Sequence, residues 1–207
     1  MQEYKTFNEQ EKIKATEACK KLRLMVSGSA PLPESVMKEF HKITGHWLLE
    51  RYGMTEIGMA LSNPYKGERR PGFVGKPLPT VEACIVDETN DKVVTKEGES
   101  GELRIKGPSV FKEYWNKKEA TQGTFDKEGW FKTGDIATVI DGYYKILGRA
   151  SVDIIKSAGY KISALDIERD LLEHPSIQEC AVVGVEDIDM GQLITALIVL
   201  KPVYYLF

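Results

Sequence analysis

Apolar positions change rhythm along the chain, and each rhythm predicts a different kind of element. Residues 9–22 are charged, with apolar side chains at Ile13, Ala18 and Leu22, a pattern that predicts an exposed helix. The short run Leu24-Met25-Val26 stops at Ser27-Gly28-Ser29-Ala30-Pro31 and reads as a buried strand entering a loop. From Pro33-Glu34 onward, Val36, Met37, Phe40 and Ile43 follow a helical period as far as Gly45, and Trp47-Leu48-Leu49 opens a second strand. Strand, helix and strand in succession predict a parallel sheet with crossover helices, whose ligands gather at the carboxyl ends of the strands. Two loops are expected at such ends, residues 28–32 and residues 52–58.

From Pro71 to Gly148 the texture becomes β-rich. Short runs at 83–86, 92–94, 101–105 and 143–147 are separated by Gly, Pro and Asn-Asp turns, as in a small barrel or sandwich. Beyond Gly148-Arg149 a mixed pattern follows: a helix over 164–173 with Pro175 past its end, then strands at 181–185 and 193–200. This places a boundary near Gly148 and gives an α/β class with segments 1–72, 73–148 and 149–207. No internal repeat interrupts the pattern.

Composition narrows the chemistry. At 207 residues and 42% hydrophobic content the chain suits one ordinary domain or two small ones. The longest apolar stretch, 193–200, is broken by Thr195 and followed by Lys201, far short of the roughly 18 residues that a membrane span needs. A net charge of −3 with interspersed signs offers no field to attract nucleic acid or anionic lipid, so small-molecule chemistry is expected. Cys19, Cys84 and Cys180 are scattered and odd in number, which argues against a disulfide framework, and His41, His46 and His174 lack ligand spacing. Early acids, beginning with Glu3, give the N-terminus no resemblance to a targeting peptide.

Three strings carry candidate chemistry. Glu50-Arg51-Tyr52-Gly53-Met54-Thr55-Glu56 joins a ring that can stack on a purine, a hydroxyl that can bond a phosphate oxygen and a carboxylate that can hold magnesium. An ordinary strand-turn-helix reads equally well. Gly129-Trp130-Phe131-Lys132-Thr133-Gly134-Asp135 offers a carboxylate for two ribose hydroxyls, or an Asx-type turn capping a hairpin. Gly148-Arg149, followed by Lys156-Ser157-Ala158-Gly159-Tyr160, offers a cation for phosphate or ribose and a glycine that admits an extended ligand, or simply a linker.

Together and in this order, the strings resemble the adenylate-forming superfamily of acyl-CoA synthetases, luciferases and peptide-synthetase adenylation domains. The likeness runs from about Leu22 to Lys201 and includes Gly28-Ser29-Ala30-Pro31-Leu32, Pro71-Gly72-Phe73-Val74-Gly75-Lys76-Pro77, Gly101-Glu102-Leu103 and Phe111-Lys112-Glu113-Tyr114-Trp115-Asn116. It implies the C-terminal part of the family's large domain, with a sheet remnant and a small β-barrel subdomain, followed by an incomplete α+β domain. It also implies that Ser29, Ala30 and Pro31 line an adenine pocket on which Tyr52 stacks. Thr55 would contact phosphate, Glu56 magnesium, Asp135 the ribose, and Arg149 ribose and phosphate. Gly159 falls in the loop that meets the pantetheine arm of CoA. The cofactors implied are ATP, Mg2+ and CoA, and the reaction proceeds through an acyl-adenylate. The hinge of the family follows Arg149, where Ser151 stands in place of the usual Asp or Lys.

Arg51 discriminates among acyl groups, because a cation before the stacking Tyr suits a substrate with a second carboxylate. With Ser62-Asn63-Pro64-Tyr65 and Arg69-Arg70-Pro71-Gly72 it resembles malonyl-CoA synthetases, which implies malonate or methylmalonate and a mitochondrial matrix location, with the cytoplasm as the alternative since no targeting peptide is visible. Pairing of Arg51 with Glu50 or another acid, in service of the fold alone, is the structural alternative. The phosphate-gripping loop of the family and its late catalytic Lys are not found in the string, and Val203-Tyr204-Tyr205-Leu206-Phe207 does not resemble the family's ending. A piece with little activity alone is therefore expected. The alternatives are a non-catalytic nucleotide- or CoA-binding fragment, a medium-chain fatty acyl-CoA synthetase-like piece, or a chain too uncovered to fold stably.

Overall fold

The computed structural model describes residues 2–201, so Val203-Tyr204-Tyr205-Leu206-Phe207 lies outside the described residues. The chain forms two compact units. One comprises the chain through Glu82 with Lys106–Glu113 and Asp141–Lys145; the other comprises Ala83–Ile105, Tyr114–Ile140 and the chain from Ile146 onward.

The first unit opens with α1 (Gln2–Thr6) and α2 (Glu9–Lys20). A reciprocal cap starts α2: Asn8 Oδ1 accepts from Glu11 N at 3.0 Å, and Glu11 Oε2 accepts from Asn8 N at 2.8 Å. Then come β1 (Val26–Ser27) and α3 (Glu34–Thr44), which ends at the left-handed Gly45. The apolar stripe of α3 buries Met37 with Leu32 and Leu48, backed by Met25, Val36 and Phe40. β2 (Leu49–Met54) pairs parallel to β1, with Val26 opposite Leu49 and Ser27 opposite Glu50, as the strand-helix-strand pattern requires.

β2 does not end in a loop at Tyr52, as its position after Trp47-Leu48-Leu49 suggests. It continues to Met54, turns through residues 55–57 and returns as antiparallel β3 (Gly58–Ser62), with β4 (Lys76–Pro77) completing the order β1-β2-β3-β4. Ile57, fully buried, anchors the turn, and its N–H reaches Met54 O at 3.1 Å. Two buried polar residues tie the following loop to β2. Asn63 donates to Phe73 O at 2.5 Å and to Glu50 O at 3.3 Å, while Glu50 Oε2 accepts from Gly72 N at 3.1 Å.

A second sheet takes the order β5-β6-β7-β8, from β5 (Glu82–Val86), β6 (Ser100–Lys106), β7 (Phe131–Ile140) and β8 (Tyr143–Arg149). The helix α4 (Lys118–Thr124) precedes β7. Ile85, Leu103, Ile105, Phe131 and Ile136 form its buried apolar set. The strand expected over 92–94 is reduced to a single bridge between Val86 and Val93, whereas β7 runs for ten residues where the apolar pattern predicts no strand.

The last sheet takes the order β10-β9-β12-β11, from β9 (Ile154–Ser157), β10 (Tyr160–Ser163), β11 (Ile177–Asp187) and β12 (Gly191–Leu200). Between β10 and β11, α5 (Ala164–Leu172) starts where Ser163 Oγ accepts from Asp166 N at 3.1 Å, and it packs Ile167 and Leu171 against Ile155, Ala164 and Val182. Strand alternation puts Val182 toward that helix and Ala181, Val183 and Val185 on the opposite face, with their partners Leu197, Thr195 and Leu193. Val183, Val185, Leu193 and Leu197 on that face are exposed. Among the described residues no helix is long and apolar enough to cross a membrane.

The buried Arg104 is the electrostatic hub of the second unit. Its side chain is 9% exposed, and it meets Asp91 at 2.5 Å, Asp126 at 3.0 Å and Glu102 at 3.1 Å. Burial pushes the Asp126 carboxyl up, but the N–H groups of Trp130 and Glu128 and the Arg104 guanidinium outweigh it, leaving its pKa below the ordinary value. Substituting Arg104→Met strands two largely buried carboxylates, and a loss of about 3 kcal/mol is expected in urea melts. Because the Asp126 pKa is depressed in the folded state, its contribution is complete above the unfolded value of about 4 and is lost as pH falls through the lower folded value. The urea midpoint should therefore drop on acidification below about pH 4, and Asp126→Asn should flatten that drop.

Candidate functional site

In the first unit, the candidate residues lie on the loop after β1 and along β2 with its turn. Ser29, Ala30 and Pro31 are exposed, and Ser29 adopts φ 71°, a left-handed conformation that costs a non-glycine residue energy. Successive side chains of β2 point to opposite faces. Glu50 therefore turns inward to Gly72 N, 5% exposed, and Arg51 turns the other way. The half-buried Arg51 guanidinium lies over the backbone of Gly28, so close that a Cβ built there would sit 2.8 Å from Cζ and 2.9 Å from Nε and Nη1. Among the described residues no carboxylate pairs with Arg51, so the Glu50 alternative does not hold.

Tyr52, half-buried, pairs with Leu61, and the register then jumps to Gly53 opposite Met59. A Cβ on Gly53 would run into the Gly58 carbonyl and come within 3.0 Å of Met59 Cα, so this glycine serves close strand approach rather than flexibility. Thr55 and Glu56 occupy the turn, Thr55 exposed and Glu56 half-buried, and Phe111 N donates to Glu56 O at 2.7 Å. The motif is thus strand-turn-strand rather than strand-turn-helix.

In the second unit, the Asx-type turn expected at Asp135 belongs to a different residue. Asp126 Oδ1 accepts from Glu128 N and Trp130 N, both at 2.9 Å. Asp135 sits instead inside β7 at a bulge. The β6–β7 register passes from Arg104–Lys132 to Glu102–Ile136, leaving two extra residues on β7, and Gly134 takes φ 72°. Thr133 Oγ1 donates to Leu103 O at 2.7 Å and accepts from Asp135 N at 3.1 Å, and Glu102 Oε1 accepts from Gly134 N at 3.3 Å. Arg149, at the end of β8, closes over the bulge. Its Nε lies 3.0 Å from Asp135 Oδ1, and its Nη1 donates to Thr133 O at 2.8 Å. Asp135 is 6% exposed.

Beyond Arg149 the chain turns through residues 150–153, where Arg149 N donates to Asp153 Oδ2 at 2.8 Å and Ser151 is exposed. Ala158 and Gly159 make the two-residue turn between β9 and β10, with φ 48° and 83°, the pairing of a primed hairpin turn. Gly159 and Tyr160 are exposed at its tip.

Arg51, Tyr52, Thr55 and Glu56 thus share one strand and turn, Arg51 meets the Gly28 loop, Asp135 joins Arg149, and Gly159 stands on its own hairpin. Sequence reasoning missed Glu102 and Thr133, which shape the bulge, and the service of Gly28 to Arg51. Only the Gly101-Glu102-Leu103 string gave a signal for the first. Among the described residues no three His, Cys, Asp or Glu side chains gather to hold a metal. A single carboxylate suits a magnesium ion whose other ligands come from nucleotide phosphates and water. Cys84 is unfit as a nucleophile, since burial pushes its thiol up to about 11.

The model of the AMP-binding enzyme family matches residues 2–115, and that of the AMP-binding enzyme C-terminal domain matches residues 166–205. The mitochondrial malonate–CoA ligase ACSF3 of Xenopus laevis is 53% identical over 89% of this chain and 35% of its own length, and the malonate–CoA ligase of Arabidopsis thaliana is 52% identical over 96% and 32%. Among solved structures, ATP-bound MatB from Rhodopseudomonas palustris superposes with a TM-score of 0.81 at 42% identity, over 86% of this chain and 35% of that one. A malonyl-CoA ligase ternary product complex with methylmalonyl-CoA and AMP bound gives 0.61 at 43% identity, over 93% and 42%. The chain spans about a third of the length of the curated relatives it matches. Matched over more than half of its residues by the family model, the chain belongs to the AMP-binding enzyme family.

Proposed function

We propose that this chain is part of an ATP-dependent ligase that joins malonate, and with it methylmalonate, to CoA. The carrying observation is Arg51, a cation held on a rigid strand with no carboxylate partner among the described residues, in a sequence more than half identical to malonate–CoA ligases. A second carboxylate on the substrate is the anion that satisfies it, through two parallel hydrogen bonds.

The reaction has two steps. One carboxylate of malonate attacks the α-phosphate of ATP, forming an acyl-phosphate bond and releasing pyrophosphate. The CoA thiol, losing its proton, then attacks the acyl carbon and releases AMP. In this reading Tyr52 stacks on the adenine beside Ser29, Ala30 and Pro31, and Thr55 bonds a phosphate oxygen. Asp135 accepts from the ribose hydroxyls, and Arg149 neutralises phosphate while holding Asp135 in aim. Glu56 would hold Mg2+, which supplies charge neutralisation at the phosphates. Gly159, exposed on its turn, leaves room for the extended arm of CoA. The mitochondrial names of vertebrate relatives support placing the enzyme in that organelle.

Because the chain spans a third of its relatives, activity is tested in a full-length ligase carrying the same residues. There Arg51→Ala should lower kcat/KM for malonate about ten- to a hundredfold, the worth of a charge-assisted hydrogen-bond pair, and malonate activity that survives unchanged would disprove the assignment. Asp135→Asn should raise the KM for ATP about tenfold and leave that for malonate in place.

A further inference from the structure

Gly28 has no conformational reason to be glycine. Its φ lies outside the left-handed region, which its neighbour Ser29 occupies instead. What the missing side chain provides is space. The parallel pairing of Ser27 with Glu50 brings Gly28 level with Arg51, and an added Cβ would stand 2.8 to 2.9 Å from Cζ, Nε and Nη1 of the guanidinium, closer than carbon atoms in side chains approach such groups. Across β2, Arg51 pairs with Ser62, whose hydroxyl is committed to Asn63 O at 2.8 Å.

We propose that Gly28 is a positioning residue that sets the direction of the Arg51 guanidinium, and through it the preference for diacids over monoacids. The inference rests on the reading of Arg51 given above. The three atoms a Cβ would meet all belong to the far end of a flexible side chain, so the backbone can absorb Gly28→Ala by letting Arg51 swing aside. The fold is therefore spared while the cation loses its aim. Two charge-assisted hydrogen bonds to a planar carboxylate depend on that aim far more than the adenylate contacts do.

The test uses a full-length malonate–CoA ligase with glycine and arginine at these positions, assayed with malonate and with propionate as the monocarboxylate probe. Gly28→Ala should raise the KM for malonate about tenfold or more while the KM for ATP and the activity with propionate hold steady. In the Arg51→Ala background the same substitution should change the malonate-to-propionate ratio no further, because the group it acts through is gone. Equal losses with both acids, or a Gly28→Ala effect that persists without Arg51, would overturn the proposal. If Arg51→Ala weakens malonate use but Gly28→Ala leaves the ratio alone, only this inference falls. If Arg51→Ala itself changes nothing, the reading beneath it falls as well. Thermal melts of the same full-length ligase guard against misfolding. Gly28→Ala should melt with the parent, and a large drop in Tm that occurs equally with and without Arg51→Ala would mark a packing role and count against the proposal.

Discussion

The double pairing of β2 is the constraint on which the first unit depends. Parallel to β1 on one side and antiparallel to β3 on the other, it fixes the faces of Glu50, Arg51 and Tyr52 at once, since a slip of one residue would exchange them. A buried Glu50 bound to Gly72 N and a buried Asn63 bound to Phe73 O make such a slip costly, because both polar groups would lose their partners. Arg51 is thereby turned to the face opposite Glu50, where its guanidinium lies over the Gly28 backbone. Specificity at one side chain follows from satisfaction of its neighbours.

The second unit uses the same economy around a bulge. Glu102 divides its oxygens between Arg104 Nε and Gly134 N, so the buried hub of charge and the kink that displays Asp135 share one carboxylate. Arg149 then spans the kink from Thr133 O to Asp135 Oδ1. Removal of any one of these groups would disturb the others, which explains why Asp135 can stay nearly dry and still be held in a definite orientation.

Much of this is legible in the string. The parallel pair around α3, the start of α5 at Ala164 and the two long strands of the last sheet follow from apolar period and capping residues, which act locally. The family is legible because Tyr52-Gly53-Met54-Thr55-Glu56 and Gly148-Arg149 stand together in order. What stays hidden is set by pairing across the sheet. β7 contains Lys132, Gly134 and Asp135, which spoil the alternation that marks a strand, and only its partner β6 reveals that the irregularity is a bulge. The Asx turn lies at Asp126 rather than at Asp135, and only the hydrogen-bond partners place it there. Tyr52 reads as a loop residue because Gly53 resembles a breaker, whereas the close passage of Gly58 makes that glycine the residue that lets the strand continue. Gly28 gives no signal, since its neighbour in space is 23 positions away, by the numbering of Gly28 and Arg51.

The sheet that ends the described chain is oily on both sides, and α5 shelters one of them. Val183, Val185, Leu193 and Leu197 leave a dry strip facing water. Exposure of that strip makes the chain's colloidal behaviour sensitive to salt and cosolvent, since excluded salts such as sulfate strengthen the drive to hide it and urea weakens that drive.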